Sequence, residues 1–367
     1  MTVSIDNLVT GVGTSVTDKL VVNGEAGDDT FTISDQATRT NSGAVTIDGG
    51  AGTNDALVLT GTNLLGPTAT IAGIEKINFQ TTATGVTTAL TVAAGYSDSV
   101  LLTDVSTGGN QTLNITSAGN VDVSGWTQLG WTNSAIGAPA DVLSVTGSGI
   151  IKGSAVIATA VTEGASADTI TTAGAAATVT GAGGIDTITL GSANAQPDSV
   201  VISAIVAAAD RDVVNNFVTT SDKLTLGLAN TTVATGAGAA VVATSTTAAG
   251  VGGGAIAIAT ASSSTKDVVI LTVTAAGVNS GDLSASTNGT ELLKALTDAT
   301  AADTYTAITA STAADKCYFA ATQGGNTYVY YADSSADGTT ASFSAADIIL
   351  VGTFNSATLV AGDYVLA

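Results

Sequence analysis

The residues in this chain best suited to chemistry are aspartates set among glycines. Four turns carry them: Gly24-Glu-Ala-Gly-Asp-Asp-Thr-Phe31, Gly49-Gly-Ala-Gly-Thr-Asn-Asp-Ala-Leu57, Gly164-Ala-Ser-Ala-Asp-Thr-Ile170 and Gly181-Ala-Gly-Gly-Ile-Asp-Thr-Ile188. Glycine lets the backbone turn its carbonyl oxygens inward, and aspartate sets a short-armed carboxylate beside them. Together they offer the hard oxygen ligands that Ca²⁺ takes. Composition points the same way. Of 30 acidic residues only Glu25, Glu75, Glu163 and Glu291 are glutamate, and with nine basic residues the formal net charge is -21. A merely soluble surface would use glutamate freely, whereas aspartate suits tight turns. The negative balance repels nucleic-acid phosphates and anionic lipid, so neither partner is expected.

Other chemistries find less support. The chain has no histidine, which removes the commonest general base and transition-metal ligand. Asp28/Asp29 and Asp210/Asp212 are carboxylate pairs, but neighbours in a turn do not make a cleft, so no enzyme is expected. Trp126 and Trp131 flank Thr127-Gln-Leu-Gly130; paired aromatics either stack on a sugar or pack in a core. Cys317 is the only cysteine, which excludes an internal disulfide and a cysteine zinc cluster. Set in a β-rich run, it reads as a small buried hydrophobe.

The elements that must position these turns are short strands. Val, Ile and Thr alternate in Lys19–Val22, Ala56–Thr60, Gln111–Thr116 and Asn120–Ser124, between Gly, Asn and Asp. Hydrophobic residues reach 45% but aromatics only 4%, so the core must consist of thin, regularly stacked layers of small side chains. The expected class is all-β, with β-solenoid or β-roll segments, β-sandwich-like modules and one short helix near 290–298. That helix follows from Leu292, Leu293 and Leu296, with Thr290 as its expected N-cap. Four regions are expected: a calcium-binding β segment at 1–60, a β-rich domain at 61–160, a β-roll with a closing segment at 161–228 and a β domain at 229–367. Asp168 and Asp186 lie eighteen residues apart, two nine-residue units, whereas 61–160 and 229–285 show no firm period.

The glycine–aspartate turns resemble the nonapeptide repeats of RTX (repeats-in-toxin) proteins, Gly-Gly-x-Gly-x-Asp-x-apolar-x. Gly24–Phe31 and Gly181–Ile188 match well; Gly49–Leu57 carries one extra residue and Gly164–Ile170 replaces glycines with Ala and Ser. The resemblance implies Ca²⁺ held between turns on successive coils. The metal-binding residues it implies are Gly24, Ala26, Asp28, Asp29, Asp48, Asn54, Asp55, Asp168, Gly181, Gly183, Asp186, Asp198, Asp212 and Asp222. Asp210–Gly227 is similar to the segment that closes such arrays, with Asp212, Phe217, Asp222, Lys223, Leu224 and Leu226 on matching positions. There Phe217 would cap the apolar core and Asp222 would ligate or cap.

Gly325–Tyr331, Asp337-Gly338 and Ala346–Gly352 resemble the terminal modules of type I secreted calcium-binding proteins. Thr358–Ala367 is similar to their uncleaved export tails. The first ten residues show no basic or apolar leader, so export by the type I machinery through this tail is expected, with an extracellular or cell-surface location in a bacterium. Gly73-Ile-Glu-Lys-Ile-Asn-Phe79 loosely resembles bacterial S-layer proteins with RTX motifs. The functional expectation is a calcium-dependent structural protein that self-assembles into an S-layer or filament, with surface polysaccharide as a further partner. The alternative is a calcium-dependent adhesin or carbohydrate-binding module using Trp126 and Trp131. No stretch is apolar enough for a membrane span.

Overall fold

The computed structural model describes residues 2–5, 20–33, 45–60, 69–81, 85–105, 111–131, 141–154, 157, 159–162, 167–172, 174–181, 183–191, 196–202, 211–227, 238–239, 242–244, 256–257, 267–271, 273, 281–297, 308–309, 316–333 and 342–367. Two compact units divide the chain: residues 1–164, 168–179 and 191–196 form the first, and 165–167, 180–190 and 197–367 the second.

In the first unit the chain lays short strands alternately into two parallel stacks. One stack contains Thr2–Ile5, Thr30–Ile33, Ala56–Leu59, Lys76–Phe79, Leu101–Asp104 and Thr127–Leu129. The other runs through Leu20–Asn23, Val45–Asp48, Ala69–Ala72, Thr87–Val92, Thr112–Ser117, Val142–Thr146 and Thr159–Thr162. Val121–Asp122, Ile150–Lys152 and Thr169–Thr171 form a third parallel set. This is a solenoid, and the period-two alternation of the sequence explains it. In Thr30–Ile33 the inward Phe31 and Ile33 are buried, and in Val45–Asp48 the inward Val45 and Ile47. In-register pairing then piles like on like: Phe31, Leu57, Ile77 and Leu102 form one inward row. Each such side chain contributes about 1.5–3 kcal/mol of burial.

Coil length is not constant. Residues on neighbouring strands lie 26 apart at Asp29 and Asp55, 20 at Asp55 and Glu75, and 30 at Gln111 and Asp141. Loops of unequal length join strands of constant spacing, so eighteen residues is not a general repeat.

The second unit combines a parallel stack with a mixed sheet. Ser199–Ile202, Lys223–Leu226 and Tyr364–Leu366 pair in parallel, as do Thr187–Thr189 and Asp212–Asn215. Ile348–Phe354 then pairs in parallel with Asp212–Asn215 and antiparallel with Asn326–Asp333. The latter makes a hairpin with Lys316–Gln323. Its two-residue turn, Gly324-Gly325, has φ of 62° and 85°, the doubly left-handed turn that matches strand twist. Val268–Leu271 extends the sheet in parallel. Cys317 is buried within it.

Helix Gly289–Thr297 covers one face of this sheet, with Leu292, Leu293 and Leu296 packed among Phe319, Tyr330 and Leu350. Its cap is one correction to the sequence reading. Asn288, not Thr290, supplies the capping oxygen, and the Thr290 amide is the donor it receives at 3.0 Å. Asp337-Gly338 lies outside the described residues.

Truncating a core row should cost far more than truncating an outward position. Leu57→Ala, at a fully buried site, is expected to lose about 2–5 kcal/mol in chemical denaturation. Val21→Ala, at a site 55% exposed, should change stability by no more than about 0.5 kcal/mol.

Candidate metal centre

The first two glycine–aspartate turns stack directly on one another. Ala26 bridges to Ala51 in parallel. The Gly27 amide donates to the Ala51 carbonyl at 3.1 Å, and the Ala51 amide donates to the Glu25 carbonyl at 2.6 Å. Left-handed backbone at Glu25 (φ 68°), Gly27 (103°) and Gly50 (88°) makes this interlock possible. Asn23 and Asp48, paired in register, close their own turns by accepting the amides of Glu25 and Gly50 at 2.8 and 3.0 Å. Asp48 therefore shapes a turn. The extra residue of the second turn falls between Ala51 and Asp55. There the Thr53 amide and the Asn54 side-chain amide both reach back to the Asp28 carboxylate, at 3.4 and 3.2 Å. Asp28 and Asn54 thus bind each other at the exposed rim.

Asp29 and Asp55 are buried behind that rim, each at the entrance to a strand. The Asp29 amide donates to Asp55 Oδ1 at 2.7 Å, and the Asp55 amide donates to Glu75 Oε2 at 2.8 Å. One carboxylate oxygen per coil therefore holds the backbone of the neighbouring coil. Asp55 Oδ2 is different. It is buried, and no donor among the described residues reaches it.

Around these carboxylates the glycines leave a cradle that any side chain would fill. A methyl group on Gly24 would strike Asp29 Oδ2 and the Gly49 carbonyl. On Gly49 it would strike the Gly73 carbonyl and the Asp55 side chain, and on Gly52 both Asp55 oxygens. Carboxylate and carbonyl oxygens thus converge on the space beside these glycines. No cluster of three or more His, Cys, Asp or Glu side chains capable of holding a metal occurs among the described residues. A cation here would draw on one or two carboxylates and on backbone carbonyls, a donor set that suits Ca²⁺ and not a transition metal.

The second unit brings together Gly181, Asp186 and Asp212, with Gly183 in the same turn. A methyl on Gly181 would lie 2.6 Å from Asp212 Oδ2 and 3.6 Å from Asp186 Oδ2, so both carboxylates face one glycine. The Asp186 amide donates to Asp212 Oδ1 at 3.3 Å.

Asp198 and Asp222 form a separate corner, where both Asp222 oxygens accept amides: Asp198 at 3.0 Å and Val218 at 2.8 Å. Asp222 is thus a cap, as the closing-segment resemblance allowed. Phe217 is buried against Phe354 with centroids 5.2 Å apart. Asp168 accepts the Gly149 amide at 2.5 Å; Gly164, Ala165 and Ser166 of its turn, and Asp210, lie outside the described residues.

Sequence reasoning missed the amide-holding role. Gln111 and Asp141 perform it too: Gln111 Oε1 accepts the Val86 amide at 3.1 Å and Asp141 Oδ1 the Gln111 amide at 2.8 Å. The signal was available, since an acidic or amide residue stands immediately before strand after strand. Both tryptophans pack in the core, Trp126 against Tyr96 and Trp131 against Phe79 at 6.5 and 5.5 Å between centroids. They offer no face to a sugar, which removes the Trp126/Trp131 basis for the carbohydrate-binding alternative.

Comparison with protein-family models, with curated proteins and with solved structures gives no match.

Gly49→Ala should destabilise the first unit more than Gly27→Ala. The former drives a methyl onto a carbonyl, whereas the latter meets open space and carries only backbone strain of about 1–3 kcal/mol; thermal denaturation ranks them.

Burial pushes the Asp222 carboxyl above the ordinary range; its amide donors oppose this and the Asp363 charge adds to it. A raised folded value means that the fold favours the protonated form. This contribution is full in acid and is lost as pH rises through the raised value. Asp222→Asn lacks that loss, so as pH rises from the ordinary carboxylate range urea denaturation should show the stability difference moving in favour of the variant.

Proposed function

We propose that this chain is a calcium-dependent structural protein, exported to the bacterial cell surface, whose copies assemble into a layer or filament. The observation that carries the reading is the buried Asp55 Oδ2, without a donor among the described residues, at a glycine cradle lined by carbonyls. Asp29 and Asp55 stand immediately before neighbouring strands. At a strand spacing of about 4.8 Å, two ionised carboxylates repel by roughly 3 kcal/mol at an effective dielectric constant of about 20. A divalent cation between the turns reverses that term. When bound, Ca²⁺ supplies charge neutralisation and ties successive coils together. Asp29 and Asp55 would hold it with the carbonyls of Gly49 and Gly73.

Such coupling links folding to place. Extracellular calcium sites bind with Kd of about 10⁻⁴–10⁻³ M, and at roughly ten times Kd each site contributes about 1.4 kcal/mol. Where free calcium is very low the aspartate corners repel and the chain stays open for export; outside, the coils close. Among the described residues no helix is long and apolar enough to cross a membrane.

The test is circular dichroism and thermal denaturation from EGTA to millimolar Ca²⁺, with electron microscopy of the same samples. Calcium is expected to raise the melting temperature and to produce ordered sheets or fibres. Asp55→Asn should weaken the calcium response while leaving the β signal at high calcium. An unchanged melting temperature across the titration would remove the reading.

A further inference from the structure

Two Asn-Gly steps occur in the chain, Asn23-Gly24 and Asn288-Gly289. Such a step carries a reactivity of its own: the glycine nitrogen can attack the asparagine side-chain carbonyl carbon, and glycine's missing Cβ leaves that ring closure unhindered. In both places the asparagine is exposed and the glycine buried. The Glu25 amide donates to Asn23 Oδ1 at 2.8 Å, and the Thr290 amide to Asn288 Oδ1 at 3.0 Å. The Gly24 amide donates to the Asp48 carbonyl at 2.8 Å, and the Gly289 amide to the Ala345 carbonyl at 3.1 Å.

These two hydrogen bonds act in opposite directions. A donor on Oδ1 favours the negative charge which that oxygen gains when its carbon is attacked. The glycine nitrogen must shed its proton to attack, and a carbonyl that holds its N–H withholds it. The electrophile is prepared and the nucleophile is locked.

The locks differ in what supports them. Among the described residues Leu20–Asn23 pairs with Val45–Asp48 alone, at the end of its stack. The Gly24 lock therefore depends on one neighbouring strand, and local opening is easiest where contacts come from one side. Asn288 is bridged to Ile349, the Thr287 carbonyl accepts the Leu350 amide, and the helix that follows is packed into a core.

We propose that Asn23 is a modification site that records whether the first coil is closed. When Leu20–Asn23 parts from Val45–Asp48, the Gly24 nitrogen gives its proton to hydroxide and bonds to Asn23 Cγ. The Cγ–Nδ2 bond breaks, and Nδ2 takes a proton from water and leaves as ammonia. Water then opens the cyclic imide. Cleavage at Cγ leaves aspartate; cleavage at the main-chain carbonyl leaves isoaspartate, whose backbone runs through Cβ and Cγ and is longer by one atom. Nothing is oxidised or reduced. Asn23 stands in register with Asp48, so the aspartate product adds a carboxylate beside it. The isoaspartate product displaces Gly24 from the Asp48 carbonyl and shifts the Ala26–Ala51 bridge beyond it, so that chain no longer closes its first coil. The proposal is independent of calcium and of assembly.

Peptide mass mapping, with isoaspartate identified by electron-transfer fragmentation, tests this in mildly alkaline buffer. Conversion at Asn23 should be at least about tenfold slower in the native chain than in urea, each tenfold corresponding to about 1.4 kcal/mol of opening. Conversion at Asn288 in the native chain should be slower still. Ile47→Ala, at a fully buried position of the supporting strand, should speed conversion at Asn23 and leave Asn288 unchanged; Ile47→Val makes the same test if the alanine variant does not fold. After return from urea, chains with isoaspartate at position 23 should stay open to protease in the first turns while unconverted chains regain protection. Equal rates at Asn23 in native buffer and urea, an Ile47 variant that leaves Asn23 unmoved or speeds both sites alike, or equal protection of converted chains would each overturn the proposal.

Discussion

A buried carboxylate or amide side chain at a strand entrance, accepting a backbone N–H from the neighbouring coil, is the interaction on which this architecture turns. Parallel coils need their corners fixed, because each strand of the first unit is short and, where described, buries at most three side chains. Asp55 holding the Asp29 amide, Glu75 holding the Asp55 amide and Asp141 holding the Gln111 amide supply that fixing in the first unit. Asp212 and Asp222 repeat it in the second. Hydrogen bonds to charged acceptors stabilise by about 1.5–3 kcal/mol each. The same arrangement sets carboxylates one above another at the corners of successive coils.

The corners fall into two kinds. At Asp222 both oxygens take amides from within the second unit, and Asp363 is likewise held by two amides. These corners are complete as polypeptide. At Asp55 one oxygen takes an amide and the other faces the cradle that Gly49 and Gly52 leave open. The distinction separates aspartates that act as caps from those with a donor atom to spare, although both follow the same local sequence habit.

Much of this was legible in the sequence. Alternating Val, Ile and Thr announced strands, and Leu292, Leu293 and Leu296 announced the helix at Gly289–Thr297. The stacked turns were legible because glycine and aspartate recur together. The coil period was not, since loops of different length separate strands of equal rise, as the spacings of 20 and 30 residues show. Thr290 passed for the cap because it is a good capping residue two positions too far along; only the geometry shows Asn288 reaching its amide. The burial of Trp126 and Trp131 depends on partners 30 to 52 positions away, Tyr96 and Phe79, and no local pattern encodes it. The pairing of Tyr364–Leu366 with Lys223–Leu226 is equally non-local.

The most direct test of the account is anomalous diffraction at long wavelength from crystals grown in calcium. The account predicts a peak in the first unit bounded by the Asp55 carboxylate and the carbonyl oxygens beside Gly24 and Gly49. Density at that position fitting only a water, donating to Asp55 Oδ2 and giving no anomalous signal, would contradict it.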